Sequence, residues 1–500
     1  MQYIKRACTQ TAPVFFAMLL MVFLTSVMAL QETELDDMEI VRAIENDLLF
    51  DKGVSNHLID VSCKEGVVTL EGTVDNVLAK ERAVAIAQSI RGVRSVINKV
   101  VVEPVARTDE QIKKNVTNAL VLDPVTESFD ITVNVDQGVV TLTGTVHSWT
   151  ERRFAAQVAK EVKGIVDVVN ELNVVHKMER TDEEIRTEIR KKIDRSIWIN
   201  DVSLDILVEN GYVTVSGVVG SAREKERVRF ACHVSGVEEV DVSDVEVEWW
   251  AEDTTRKDKR VPLMEDEEIR NSLYDALVYD PRVLPTKIDI KVDKGLVSLM
   301  GSVTDYRARK AAEEDARNTI GVARVFNYLK VRPDLVVEDE EIYDYVDTAV
   351  KLDPYLERYQ FKFTVANGKV YVNGAVDTDF DKYRVDQVVG RQPGVIDIAN
   401  NVVVREAWEP KSDWAIKEDI LNQYFWSMNV DGDDINVTVN DGDVVLEGTV
   451  DTKYEMQAAI KNAYEGGAHE VTNNISVQEM PEASDFLNLY DRYEMGAYRW

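Results

Sequence analysis

The sequence predicts an α+β fold: six tandem α-β-β-α-β units, each with two helices packed on a three-stranded sheet. Three observations predict it. A short hairpin pattern recurs six times along the 500 residues. A Gly-Val-like signature follows each hairpin at a spacing of 25 or 26 residues. Helical and strand periodicities then alternate in the same order in every copy.

An apolar run stands before the first unit. Lys5 and Arg6 form a short basic region, Val14 to Val27 is mostly apolar, and Val27-Met28-Ala29 offers a small-residue cleavage site. This order predicts a signal peptide over residues 1–29 and therefore an exported protein, with an uncleaved membrane anchor as the alternative reading of the run. Cys8 precedes the run, and no cysteine follows at the cleavage site, so a lipoprotein anchor is not indicated.

Each unit opens with a helix. Thr181-Asp182-Glu183-Glu184 reads as a capping box, with Ile185, Ile189 and Ile193 on one face behind it. Thr108 and Gln111 play the same parts before Ile112 and Val116. Asp-Pro follows in three copies, at Asp123-Pro124, Asp280-Pro281 and Asp353-Pro354, because the residue before proline resists helix. Two alternating strands come next, joined by a tight turn. The repeat glycines of these hairpins are Gly66 and Gly72, Gly138 and Gly144, Gly211 and Gly217, Gly295 and Gly301, Gly368 and Gly374, and Gly442 and Gly448. The first of each pair suits a positive φ in the turn, and the second a close approach or bulge. A second helix carries alanine on its inner face, as at Ala83 and Ala87 or Ala155 and Ala159. Gly92, Gly164, Gly236, Gly321, Gly394 and Gly467 end that helix, and a final strand closes the unit. Asparagine stands six residues past this glycine in five copies, as Asn98, Asn170, Asn327, Asn400 and Asn473; the third copy has Val242 there.

The units occupy residues 35–103, 107–176, 180–249, 264–332, 337–405 and 412–479. The first glycines are 72, 73, 84, 73 and 74 residues apart. The long step holds a charged linker at 250–263, which predicts three units on either side of a flexible joint. Residues 480–500 belong to no repeat. Phe486, Leu489, Tyr490 and Tyr493 have helical spacing there, which suits docking on the last unit or on a partner; a frayed terminus is the alternative reading.

The hairpin, the alanine-bearing helix and the Gly-Val-x-x-Val-x-Asn ending resemble the BON domain (bacterial OsmY and nodulation domain). The resemblance extends from about Met38 to Val477. It implies a periplasmic or envelope location, contact with phospholipid or envelope partners, and a role in envelope integrity and osmotic protection. It implies no catalytic activity.

Charge and composition narrow the chemistry. Lys and Arg number 58 against 90 Asp and Glu, a formal charge of −32. Nucleic acid is excluded as a partner, since phosphate binding needs clustered basic residues. Simple electrostatic adhesion to anionic lipid is disfavoured on the same ground. Three cysteines and five scattered histidines form no disulfide framework and no metal-ligand spacing. Asn429 to Asp434 departs from a calcium loop, lacking glycine at the sixth place and the final glutamate, and reads as an acidic turn. No catalytic residue, metal or cofactor is therefore expected. The candidate lipid or partner contacts are aromatic: Trp149, Tyr306, Phe380 and Tyr454, each where a second helix begins. Insertion at a lipid interface is one reading of them, and packing against a neighbouring unit is the other. The high charge also suits an alternative, a soluble periplasmic chaperone-like stress protein.

Overall fold

The structure is a computed structural model. It describes residues 35–477 apart from 55–58, 124, 127–129, 176–179, 195, 197–198, 200–203, 252–264, 281, 335, 406–409 and 451–452. The expected signal peptide, the middle of the charged linker and the aromatic segment at 480–500 lie outside the described residues.

Six units of one design follow one another. The first contains α1 (Asp37–Phe50), β1 (Ile59–Lys64), β2 (Val67–Val74), α2 (Val77–Gln88) and β3 (Ser95–Val102). The second contains α3 (Asp109–Leu122), β4 (Asp130–Asp136), β5 (Val139–Val146), α4 (Trp149–Lys160) and β6 (Asp167–Val174). The third contains α5 (Asp182–Asp194), β7 (Leu204–Glu209), β8 (Tyr212–Val219), α6 (Ala222–Cys232), β9 (Glu239–Asp241) and β10 (Val245–Val247). The fourth contains α7 (Asp266–Tyr279), β11 (Ile288–Asp293), β12 (Leu296–Val303), α8 (Tyr306–Arg317), β13 (Arg324–Asn327) and β14 (Lys330–Val331). The fifth contains α9 (Asp339–Leu352), β15 (Phe361–Ala366), β16 (Lys369–Val376), α10 (Asp379–Gly390) and β17 (Asp397–Val404). The sixth contains α11 (Asp413–Trp426), β18 (Ile435–Asn440), β19 (Asp443–Val450), α12 (Lys453–Glu465) and β20 (Glu470–Val477).

In each sheet the hairpin is antiparallel and the last strand lies parallel to the second, so the middle strand is central. Both helices cover one face. Val68, Leu70 and Val74 of β2 point into that layer and meet Ile40, Ile44, Ala83 and Ala87, all buried. The opposite sheet face stays open. The alanines of α2 let the helix lie close to the sheet, because a bare methyl adds little thickness.

The recurring asparagine ties the last strand to the second helix. Asn170 Nδ2 donates to the Arg152 carbonyl at 2.8 Å, and its Oδ1 accepts from Leu172 N–H. Asn327 and Asn400 repeat both bonds. In the third unit, with Val242 at that place, Asp241 accepts from Ser243 N–H at 2.8 Å instead. The final strand is divided there into β9 and β10.

The units close on one another out of chain order. The first meets the sixth where Arg91 N–H donates to the Trp426 carbonyl at 3.0 Å. The sixth meets the third where Tyr454 is hydrogen-bonded to Arg227. The third meets the fourth through a bridge between Ser196 and Thr319. The fourth meets the second through the Arg307–Asp123 ion pair. The second meets the fifth where Lys163 N–H donates to the Leu352 carbonyl at 2.9 Å. The fifth returns to the first where the Tyr355 hydroxyl donates to the Gly53 carbonyl at 3.0 Å. Every one of these contacts joins one of the first three units to one of the last three. The two halves are thus interlocked by these contacts, and units within one half also meet, as where Lys160 of the second pairs with Glu81 of the first.

Candidate functional site

One polar device recurs in all six units. The aspartate at the first position of the first helix accepts two backbone N–H bonds from the hairpin turn. Asp37 holds Glu65 and Gly66 at 2.8 and 3.0 Å. Asp109, Asp182, Asp266, Asp339 and Asp413 do the same for their own turns. The turn's first residue has φ between +49° and +54° and its glycine between +73° and +85°, the two left-handed residues of a type I′ turn. A Cβ on Gly66 would stand 2.7 Å from the Gly92 carbonyl oxygen, so the turn also seats against the end of the second helix. Bonds from Gly66 and Cys63 hold the Asp37 carboxyl below the usual range, while burial and Asp37 push the Cys63 thiol up to about 12. This thiol is therefore a structural donor rather than a nucleophile.

The candidate contact aromatics sit at joints between units. Trp149 Nε1 donates to the Val237 carbonyl of the third unit at 2.9 Å, and its ring meets His233 edge-on at 4.6 Å. Burial holds that histidine below its ordinary range. Tyr306 is 8% exposed and lies against Gly390 of the fifth unit, where an added Cβ would come within 2.7 Å of the ring. Burial pushes its hydroxyl up to about 12. Phe380, 7% exposed, packs edge-on against Tyr355 and under the Arg82 guanidinium of the first unit. Tyr454 is half-buried beside Arg227 of the third unit, and burial raises its hydroxyl above the ordinary value. In this arrangement Tyr306 and Phe380 offer almost no free surface to a ligand. Among the other tryptophans, Trp426 is buried and Trp249 stacks with Arg91. Trp198 and Trp408 lie outside the described residues.

Sequence reasoning missed the arginines that line these joints. Arg384 binds Asp353 at 2.7 Å and Glu161 of the second unit at 3.3 Å. Arg391 pairs with the same Glu161. Arg282 and Arg307 of the fourth unit cover the ring of Phe154 in the second, at 5.5 and 5.0 Å. A signal was present: Arg82, Arg227 and Arg384 occupy one recurring position, the sixth past the cap of the second helix. A cavity of about 350 Å³ lies between the second and fifth units, lined by Leu122, Val158, Leu352, Val388 and Arg391 among others.

No group of His, Cys, Asp and Glu with metal-binding geometry occurs among the described residues. Asp431 caps its own turn, accepting from Asp433 N–H at 3.2 Å. No described helix is long and apolar enough to cross a membrane.

Part of the accessible apolar surface is on the open sheet faces. Ile97 and Val101 of β3 are 48% and 54% exposed, and Val403 of β17 is 63% exposed. Val169, Leu207, Tyr212 and Tyr371 stand exposed at outward positions of the second, third and fifth units. Alternation along each strand puts them there, since their neighbours fill the core.

The BON domain family model matches residues 36–104, 108–176, 181–248, 265–333, 338–406 and 412–479. The chain is 30% identical over 145 residues to Osmotically-inducible protein Y of Escherichia coli (strain K12), spanning 28% of this chain and 72% of that protein. It is 28% identical over 148 residues to an uncharacterized protein of Anaplasma centrale, spanning 28% of this chain and 97% of that protein. Among solved structures, the C-terminal domain of CdsD, a structural protein of the type III secretion system of Chlamydia trachomatis, is covered completely at 12% identity and aligns with 43% of this chain, with a TM-score of 0.12.

Proposed function

The chain belongs to the BON domain family, present as six consecutive domains, and from that premise we propose a non-enzymatic protein of the bacterial envelope that contacts phospholipid surfaces or envelope proteins. It supports the envelope under osmotic stress, a setting suggested by its similarity to Osmotically-inducible protein Y. The observation that carries the reading is the open sheet face repeated around the assembly. The faces of the first, second, third and fifth units each offer only a few exposed apolar side chains, such as Ile97 and Val101, so each contact is weak. Several faces on one chain act together, because the second contact forms at high effective concentration once the first is made.

The charge of −32 shapes the mode of contact. Attraction to an anionic surface is unavailable, so contact is apolar and is strengthened by divalent cations that bridge carboxylates to phosphate. Vesicle flotation of the whole protein tests this, with zwitterionic and anionic phospholipid and with or without Mg²⁺. Co-flotation supports the reading, and no binding to any mixture removes its lipid arm. The same charge favours a second reading, a dispersed chaperone-like stress protein. Suppression of client aggregation without flotation would select that one.

A further inference from the structure

We propose that residues 480–500 pack along the exposed outer face of α11, the first helix of the sixth unit. This inference is independent of the proposed envelope function. Ile416, Ile420 and Tyr424 bury one side of α11 in the core. Its other side carries Trp414, Leu421 and Phe425, which are 72%, 42% and 49% exposed. Their spacing of seven and four residues places them in one stripe.

Comparison within the chain makes this stripe unusual. The third unit has Glu183, Arg190 and Asp194 at the three equivalent positions, and the fifth has Glu340, Asp347 and Lys351. Only the sixth unit has a large apolar residue at all three. The first and fourth units expose apolar residues at two of the three positions, Met38 and Leu49 in one and Tyr274 and Val278 in the other; on α11 the third apolar residue makes the stripe continuous, a surface suited to being covered.

The sixth unit is also the one from which the unassigned aromatic segment follows. Phe486, Leu489, Tyr490 and Tyr493 are spaced to fall on one face if the segment is helical, where they would cover about 10 Å along the axis. The stripe from Trp414 to Phe425 extends for about 16 Å by the same measure. The chain leaves β20 at Val477, paired with Val450, at the end of the sheet away from the Asp441-Gly442 turn. Asp413 at the start of α11 binds that turn, so Phe425 at the other end of α11 lies toward the exit. The nine residues from Val477 to Phe486 reach up to about 30 Å, enough to cross a three-stranded sheet edge to the helix. Lys417 stands exposed on the same side of α11, and Glu482 and Asp485 precede the aromatic face of the segment. Tethering favours this occupant over a separate partner, because a short linker holds it at roughly millimolar effective concentration.

The test uses the full chain. Hydrogen exchange is followed at amides 486–493 in the wild-type protein and in Leu421→Glu, against a free synthetic peptide of residues 480–500. Exchange at least ~10-fold slower than in the peptide is expected in the wild type, falling to the peptide rate in the variant while Ile416 and Ile420 stay protected. A second arm pairs Leu421→Cys with Leu489→Cys after the native cysteines are changed to serine; an intramolecular disulfide is expected. Peptide-like exchange in the wild type overturns the proposal, as does protection that Leu421→Glu leaves unchanged. A disulfide formed only between two copies assigns the stripe to a second molecule, and protection only with added vesicles assigns it to lipid; either overturns it too.

Discussion

Removing one aspartate clamp gives the sharpest test of how each unit is held together. Asp339 accepts from Asn367 N–H and Gly368 N–H, both at 2.8 Å. Asp339→Ala leaves both donors without the carboxylate. A hydrogen bond to a charged acceptor contributes roughly 1.5–3 kcal/mol, and water regains part of the exposed Asn367 donor. The net cost is therefore about 2–3 kcal/mol. Asp339→Asn keeps one acceptor oxygen and loses the charge, and costs about 1 kcal/mol. Six units need not unfold together, so a global midpoint would blur the effect. The assay is local: hydrogen exchange at Asn367 and Gly368, with the equivalent turn at Asn210 and Gly211 as an internal control. The alanine variant should exchange about 30–100-fold faster at the fifth-unit turn alone. Unchanged protection there, or equal loss at the control turn, would refute the clamp argument.

Three further outcomes follow from the same structure. Gly144 has φ +132°, and an added Cβ would lie 1.9 Å from the Asp130 carbonyl oxygen, whereas at Gly374 the nearest atom is a movable ring carbon of Phe361 at 2.8 Å; Gly144→Ala should cost several kcal/mol and Gly374→Ala about 1 kcal/mol in denaturant titrations. Gly390→Val should expel the Tyr306 ring from its joint, seen as tyrosine hydroxyl titration falling back toward 10, with a loss of about 2–4 kcal/mol in coupling between the fourth and fifth units. Burial at the contact between the first and sixth units, with Glu465 nearby, raises the Asp47 carboxyl to about 7. A carboxyl raised on folding contributes stability that is full below its unfolded value near 4 and is lost as pH rises through 7. Asp47→Asn should therefore flatten the stability profile between about pH 4 and 7 and stabilise the protein at pH 8.5 by on the order of 1 kcal/mol after allowing for solvent access.

The units were legible in the sequence because their signals are local. Alternation marked Val67 to Val74, the alanines marked α2, and the glycines marked both turns, since each reflects backbone geometry within a few residues. The clamp was less visible. Asp37, Asp109 and Asp182 read as ordinary first-turn acids, which suit the helix dipole. Yet each stands 29 residues before its turn glycine, as do Asp266, Asp339 and Asp413, and that fixed interval was the available clue. The order of units in the assembly was not legible at all. It depends on Arg307 reaching Asp123, 184 residues away, and on Tyr355 reaching Gly53, 302 residues away. No local pattern encodes such pairings. The aromatics show the same limit: type and position gave Trp149, Tyr306, Phe380 and Tyr454 two readings, and only the neighbouring unit decides which surface each ring meets.

The claim that several open sheet faces act together is tested most directly by retention on supported bilayers of the lipid mixture that floats the protein. Val101→Glu, Tyr371→Glu and Tyr212→Glu place a charge on the open faces of the first, fifth and third units without touching the core. The account predicts that residence time falls at each step as one, two and then three faces are altered, by roughly tenfold per face lost. Undiminished retention of the triple variant, with its fold intact by circular dichroism, would contradict it.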